Sequence, residues 1–438
     1  MLKRVHEFVW GPGMLALFLI VGMLYTIKLR GFALFGFRKW WRVTVGSMLS
    51  GRGQHMNGIS SFQSACTALA ATIGTGNIAG VATALLAGGP GAIFWMWVSA
   101  FFGMATAYGE TELGMKYRRR DRSGSWMSGA MMYLEHGLEC RWLAIIYAVL
   151  CLLASFGMGS MVQANAVSET FEFAFSFPPV LVGCVLVITV GKILAGGAGG
   201  IARTAEKMVP LSAAVYIGTS LIILLLFRDR IPGAFARILA DAFSFQSASG
   251  GISGFFVSKG VRYGISRGVF SNEAGLGSLA ALNGGVEHAE PGVQGQWAIF
   301  EVFFDTIVSC TVTALVILCA MGEDLNHYSG NGSELTGLCF EQGLGSLGGY
   351  TVSMCMALFA FATMVAWYYM GRQVAAYLSE VTGIDISKLY LSGYLICVFL
   401  GSLGPMETVW EISDIFNGMM AIPNLAALVL LVKEVRRP

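Results

Sequence analysis

Long apolar runs recur through the whole chain, and no other feature limits its fold as much. Eleven are legible, at about 8–29, 62–87, 91–117, 141–173, 178–196, 207–228, 262–283, 293–321, 347–378, 388–404 and 409–433. A helix of ~20 apolar residues crosses ~30 Å of hydrocarbon, so each run is a candidate membrane span. The fourth and ninth are long enough to tilt or to project past the bilayer. Pro423 weakens the eleventh. What lies between the runs is too short for a soluble domain. Composition agrees: 55% of the 438 residues are hydrophobic and 12% charged, where an ordinary soluble domain has roughly 25% charged. A disordered chain and a disulfide-rich secreted module are excluded. A net charge of +2 gives no field for a nucleic acid. The 57 glycines suit close helix packing. The cysteines lie mostly in apolar runs without C-x-x-C spacing and read as packing residues. The first run is too long for a signal h-region and reads as a span.

Basic residues give the orientation. One set of alternate loops and the C-terminus hold 20 of the 28 Lys and Arg, including Lys28–Arg52, Lys116–Arg122, Arg203, Lys207, Arg372 and Arg437. The opposite side holds seven, and Arg267 falls inside a span. The expectation is a multi-pass protein of the inner (plasma) cell membrane, with its N-terminus outside and C-terminus cytoplasmic. That arrangement requires an odd number of spans. Loop 322–346 is acidic and expected outside.

Two spans carry runs that no straight lipid-facing helix needs. The second reads Ala71-Thr72-Ile73-Gly74-Thr75-Gly76-Asn77-Ile78-Ala79-Gly80, and the seventh reads Arg267-Gly268-Val269-Phe270-Ser271-Asn272-Glu273-Ala274-Gly275-Leu276-Gly277-Ser278. Glycine weakens a helix, and unwound backbone at membrane depth survives only where protein or a cavity surrounds it. A Gly-x-x-x-Gly packing face accounts for Gly76 and Gly80 alone. It does not account for a Ser-Asn-Glu cluster, whose carboxyl needs a partner or water at that depth. The two breaks fall in the first and sixth of the ten spans counted from residue 62. This is the mark of two inverted five-helix repeats, each with its first helix interrupted. The expected organisation is an extra N-terminal span with a basic loop over 1–61, one repeat over 62–228 and a second over 229–438. Half-helix N-termini offer N–H groups to an anion, and freed carbonyls suit a cation. A zwitterion plus a metal cation fits both.

These motifs, with Gly88-Gly89-Pro90-Gly91-Ala92-Ile93-Phe94-Trp95-Met96-Trp97 and Asn417-Gly418-Met419-Met420-Ala421-Ile422-Pro423-Asn424-Leu425, resemble those of the alanine/glycine:cation symporters, also called sodium:alanine symporters. The likeness covers nearly the whole chain. It implies an all-α polytopic membrane protein of leucine-transporter-type fold with one extra helix in front, eleven spans in all. It also implies cotransport of a small neutral amino acid with Na⁺. Two departures stand out. Ser128-Gly129-Ala130-Met131 replaces the frequent Gly-Gly-Pro-Met, and Ala362-Thr363 replaces the usual Ser-Thr pair in the ninth span. The second removes one hydroxyl from a possible sodium site.

The substrate carboxylate is expected at the backbone of Thr75, Gly76 and Asn77, and the ammonium at carbonyls around Phe270 and Ser271. Gln163 and Asn165 read equally as ligand contacts or as glue between helices. Phe270 and Trp367 are candidates to close the pocket over a methyl-sized side chain. For Trp367 only the resemblance favours this over a plain core role. The resemblance also places carbonyls of Ala70 and Ile73 and the Thr363 hydroxyl around a sodium ion, a hard cation that prefers oxygen. Back-bonding of Thr363 to its own helix is the alternative. Asp305 with Thr306 and Thr311 forms another candidate cation cluster, unless Asp305 binds a broken helix end. Glu273 either holds the second break together or titrates.

No H-E-x-x-H motif, no pair of histidines at helical spacing and no P-loop appear. A membrane hydrolase and direct drive by ATP are therefore not expected, and no cofactor beyond the coupling ion is implied. Coupling to H⁺, with a related small amino acid as substrate, stays open. So does a channel, though two isolated polar breaks make no continuous pore. Oligomeric state, alanine against glycine, and D against L form are not legible.

Overall fold

The computed structural model describes residues 2–49, 58–243, 259–287, 292–404 and 407–438. The chain is mostly helical, as backbone in hydrocarbon must satisfy its own hydrogen bonds. Its helices are α1 (Leu2–Val9), α2 (Pro12–Lys28), α3 (Phe32–Phe35), α4 (Phe37–Val43), α5 (Val45–Leu49), α6 (Ser61–Thr72), α7 (Val81–Gly88) and α8 (Gly91–Tyr117). They continue with α9 (Ala130–His136), α10 (Arg141–Phe156), α11 (Val162–Phe175), α12 (Pro179–Leu194), α13 (Gly197–Leu226) and α14 (Ile231–Ala242). Next come α15 (Lys259–Asn272), α16 (Ser278–Asn283), α17 (Val293–Val302), α18 (Thr311–Met321) and α19 (Gly332–Leu344). The last are α20 (Ser346–Thr382), α21 (Ser387–Gly401) and α22 (Glu407–Leu430).

Among the described residues, seven helices are long and apolar enough to cross a membrane, or eight if the pair 61–72 and 76–88 is one bent span. Shorter apolar helices lie at 179–194 and 387–401, and α15 and α16 flank the second polar run. Leu225 and Leu389 point outward, as expected where hydrocarbon is the solvent.

Three features depart from a plain all-helical reading. Arg119–Arg120 and Trp126–Met127 (β1 and β2) pair as a small antiparallel hairpin. The acidic loop 322–346 contains α19. Three stretches, Gly76–Gly80, Gly157–Met161 and Phe303–Cys310, are π-helical. Such segments are rare and often sit at functional sites. Pro423 does not end α22, which runs on to Leu430. Both broken helices sit inside the bundle: α15 and α17 pack along α8, and α6 packs on α13 and α20.

Candidate functional site

The first break begins where α6 loses its ladder. Ser60 and Gln63 start that helix with a capping box, and it ends at Thr72. Ile73 turns extended, with φ −76° and ψ 93°. The Gly74 N–H then donates to Asn77 Oδ1 at 3.0 Å. In a continuous helix it would bond Ala70 four residues back. The Ala70 carbonyl instead accepts from Thr363 Oγ1 at 2.8 Å. The chain restarts at Gly76 at 50° to α6. Thr75, Gly76 and Asn77 are buried there, and first-turn amides have no partner within their own helix.

The second break is built differently. Glu273, Gly275 and Gly277 take left-handed φ values of 57°, 90° and 88°. The Ala274 N–H turns to Asn272 Oδ1 and the Gly275 N–H to Glu110 Oε2, both at 3.0 Å. These amides stand four residues beyond Phe270 and Ser271, whose carbonyls are thereby released. Glu110 comes from α8 and also accepts from Asn424 Nδ2 at 3.2 Å. A fixed carboxylate of the protein thus fills the donor-rich end of the second break. At the first break no side-chain carboxylate does so among the described residues; the Asn77 amide caps only Gly74.

Asp305, in the π-helical turn after α17, joins the two breaks. Asn77 Nδ2 donates to its Oδ1 at 2.6 Å. Ser271 Oγ and Thr306 Oγ1 donate to its Oδ2 at 2.9 and 2.8 Å. Two groups result: the Ala70 carbonyl with the Thr363 hydroxyl, and the oxygens of Ser271, Asp305 and Thr306 with the Asn77 amide nitrogen beside them. Ile73 sits at the corner beside the first group. Thr363 Oγ1 also lies 3.0 Å from Phe359 O, the back-bonding alternative, and its single proton is shared between the two carbonyls. Thr311 stands apart, accepting from Trp97 Nε1 at 2.8 Å.

Gln163 reaches the first break. Its Oε1 has no donor and would lie 3.5 Å from a Cβ on Gly74. The buried Thr75 Oγ1 and Glu273 Oε2 are likewise without hydrogen-bond partners. Trp367 is fully buried against Gly159 and donates from Nε1 to Glu273 Oε1 at 2.9 Å. Phe270 lies beside Gly76 and stacks on Trp410. Asn165 does not join this group: its Nδ2 donates to Gly404 O at 2.9 Å and ties α11 to the end of α21. Of the two amides, only Gln163 faces the break. Glu110 was not singled out in the sequence, although a carboxylate inside an apolar run was its signal; Asn272 was noted only as part of the Ser-Asn-Glu cluster.

The two ends of the site differ. Beyond Phe270, Arg267 pairs with Asp414 at 3.2 Å. Trp10 Nε1 holds the Asp414 carbonyl at 2.9 Å, and His6 lies 3.3 Å from its carboxylate. Towards the basic loops, a cavity of about 430 Å³ is lined by Gln63, Trp126, Arg203, Tyr369 and Arg372.

Two interrupted helices joined through Asp305, with donor and acceptor ends, are the build of a secondary transporter. The sodium:alanine symporter family model matches residues 1–437, and the chain belongs to that family. It is 40% identical over 436 residues to an uncharacterized transporter of Haemophilus influenzae, covering 99% of this chain and 94% of that one. It is 39% identical to the sodium/alanine symporter AgcS of Methanococcus maripaludis, covering 98% and 94%. It is 35% identical to a probable sodium/glutamine symporter, GlnT, of Bacillus subtilis, covering 98% and 87%. Among solved structures, MhsT in complex with L-phenylalanine matches with a TM-score of 0.63 at 16% identity, over 86% of this chain and 89% of that one. A Na⁺-coupled sialic acid symporter matches at 0.58 and 12% identity, over 98% and 86%. The protein is a multi-pass membrane transporter with a leucine-transporter-like fold, and not an enzyme.

Proposed function

We propose that this chain couples Na⁺ entry to uptake of a small neutral amino acid, alanine or glycine, by alternating access. The observation that carries the reading is the difference between the two breaks. Glu110 already occupies the N–H groups at the second. The free N–H groups at Thr75, Gly76 and Asn77 are left for a ligand carboxylate. The released carbonyls of Phe270 and Ser271, and the orphan oxygens of Thr75 and Gln163, accept its ammonium. Phe270 and Trp367 bound the side-chain space, and one methylene too many in such a pocket costs ~1–3 kcal/mol unless sterically excluded.

The oxygens of Ala70, Ile73 and Thr363 form one sodium site in this reading. Those of Asp305, Thr306 and Ser271 form a second, next to the carboxylate, with the Asn77 amide holding Asp305 in place. Eleven spans follow if 62–228 and 229–438 are inverted repeats after one extra helix, with the N-terminus outside and the C-terminus in the cytoplasm. The name of the Methanococcus relative supports alanine; that of the Bacillus relative keeps a larger amide substrate in view.

The test is alanine binding to the purified protein across a Na⁺ titration. Linkage requires Na⁺ and alanine to raise each other's affinity by one factor. Thr363→Val should shift the Na⁺ midpoint upward about tenfold or more, a loss of ~1.4 kcal/mol, and leave alanine affinity at saturating Na⁺ nearly unchanged. Asp305→Asn should weaken both ligands together. Alanine binding that ignores Na⁺ would contradict the proposal. Glutamine binding more tightly than alanine would revise the substrate.

A further inference from the structure

A third buried carboxylate takes no part in the site above. Glu301, on α17, is fully buried. Asn283 Nδ2 donates to its Oε2 at 3.0 Å, and Gln294 Nε2 donates to Asn283 Oδ1 at 2.6 Å. All three side chains are completely enclosed. Glu301 Oε1 and Gln294 Oε1 have no donor. The cluster is therefore short of hydrogen, not of acceptors. Among the described residues no Lys, Arg or His pairs with Glu301.

The elements around α17 bring no compensating cation. From α8 the nearby carboxylates are Glu110 and Glu112, which accept the N–H groups of Gly275 and Gly292. From α6, which packs on α17, comes the buried thiol of Cys66. Asp305 lies one turn on and is held by Asn77, Ser271 and Thr306. On α4, Arg38, Lys39 and Arg42 are exposed. The six residues of α16 include no titratable side chain.

An isolated ionised carboxylate in such surroundings is unstable and takes up a neutralising partner. Only two oxygens of this cluster, Glu301 Oε1 and Gln294 Oε1, are without a donor. That is too few to coordinate a sodium ion, while a proton needs a single oxygen. We propose that Glu301, set by Asn283 and Gln294, is a proton-binding site separate from the central cation site. The proton bonds to Oε1 and makes the side chain a neutral acid.

The segment that carries Asn283 also gives the proton an exit. Gly284 O accepts from Arg118 Nη1 at 2.8 Å, and Val286 O accepts from the same nitrogen. Glu287 pairs with Arg120 at 2.7 Å. Gly285 lines the 430 Å³ cavity. When Arg118 and Arg120 release this segment, Asn283 leaves Glu301, water from the cavity reaches the acid, and the proton passes to it. This exit step rests on the alternating-access reading; the protonation of Glu301 does not.

Infrared difference spectroscopy of the purified protein in lipid at pH 7 tests protonation directly. Wild type minus Glu301→Gln should show the carbonyl stretch of a protonated carboxyl. A difference confined to carboxylate bands would overturn the proposal. Should Glu301→Gln fail to fold, Asn283→Ala must shift the same band, since it removes a hydrogen bond to that carboxyl; an unshifted band overturns it equally. For the exit step, proteoliposomes with an internal pH dye should show a pH change when alanine and Na⁺ are added. Glu301→Gln should abolish that change while alanine still accumulates. Persistence of the signal in Glu301→Gln would assign the proton elsewhere. If wild type accumulates no alanine, the transport reading fails, and the infrared result stands by itself.

Discussion

A methyl group built on Gly76 would lie 3.4 Å from Ser271 Cα and 3.5 Å from Phe270 Cδ1, ordinary van der Waals distances. Gly76→Ala should therefore fold normally. Its methyl, however, takes space at the amides assigned to the ligand carboxylate. Alanine affinity should fall tenfold or more, with the unfolding midpoint in detergent unchanged; binding and melting assays on the same sample check both. Gly74 is different, because a Cβ there would stand 2.7 Å from Thr363 Oγ1. Gly74→Ala displaces that hydroxyl from the Ala70 carbonyl, so Na⁺ dependence should suffer first. Trp367→Phe keeps most of the buried ring and removes the donor to Glu273. Leaving a buried acceptor without its partner costs about 1–3 kcal/mol. A clearly lower unfolding midpoint is expected, and an unchanged one would show that Glu273 finds another donor.

Both breaks were legible as elements because Gly-rich polar runs inside apolar spans have few physical explanations. Asn77 and Ser271 lie in the breaks, but Asp305 and Thr306 come from another span, and their meeting with the breaks was legible only as the alternative that Asp305 binds a broken helix end. The π-helical turns were not legible. A local widening of the helix leaves no pattern in the residue order. Asn165 and Thr311 could not be separated from the site by sequence, because which face of a long buried helix meets which neighbour is a tertiary matter. The hairpin escaped notice because two-residue strands carry no periodicity. At the C-terminus, Glu434 follows α22 and is held by Lys116 Nζ at 2.8 Å and by the Tyr117 hydroxyl. These two donors, the lysine foremost, keep its carboxyl below the ordinary glutamate range. A depressed pKa contributes stability above the unfolded value and loses it as pH falls through the folded one. The tail should thus stay docked at neutral pH and loosen only under acid conditions. Limited proteolysis of residues 432–438 against pH, with Glu434→Gln as the always-loosened control, reads this out.

For the whole molecule, the account requires the two ends of the site to open in turn. The end near α1 is held shut by Arg267, Asp414, Trp10 and the Phe270–Trp410 stack, while the other adjoins the cavity beneath the basic loops. Asp414→Asn removes the charge that holds Arg267. It should raise labelling of a cysteine placed at Ser266 by a membrane-impermeant reagent added outside; unchanged labelling would mean that the ion pair does not hold this end. The most direct test of the central claim is uptake of labelled alanine into proteoliposomes under an inward Na⁺ gradient, with K⁺ replacing Na⁺ as control. The account predicts accumulation above the external concentration with Na⁺, collapse when the gradient is dissipated, and loss in Gly76→Ala. Uptake that merely equilibrates, or proceeds equally in K⁺, would contradict it.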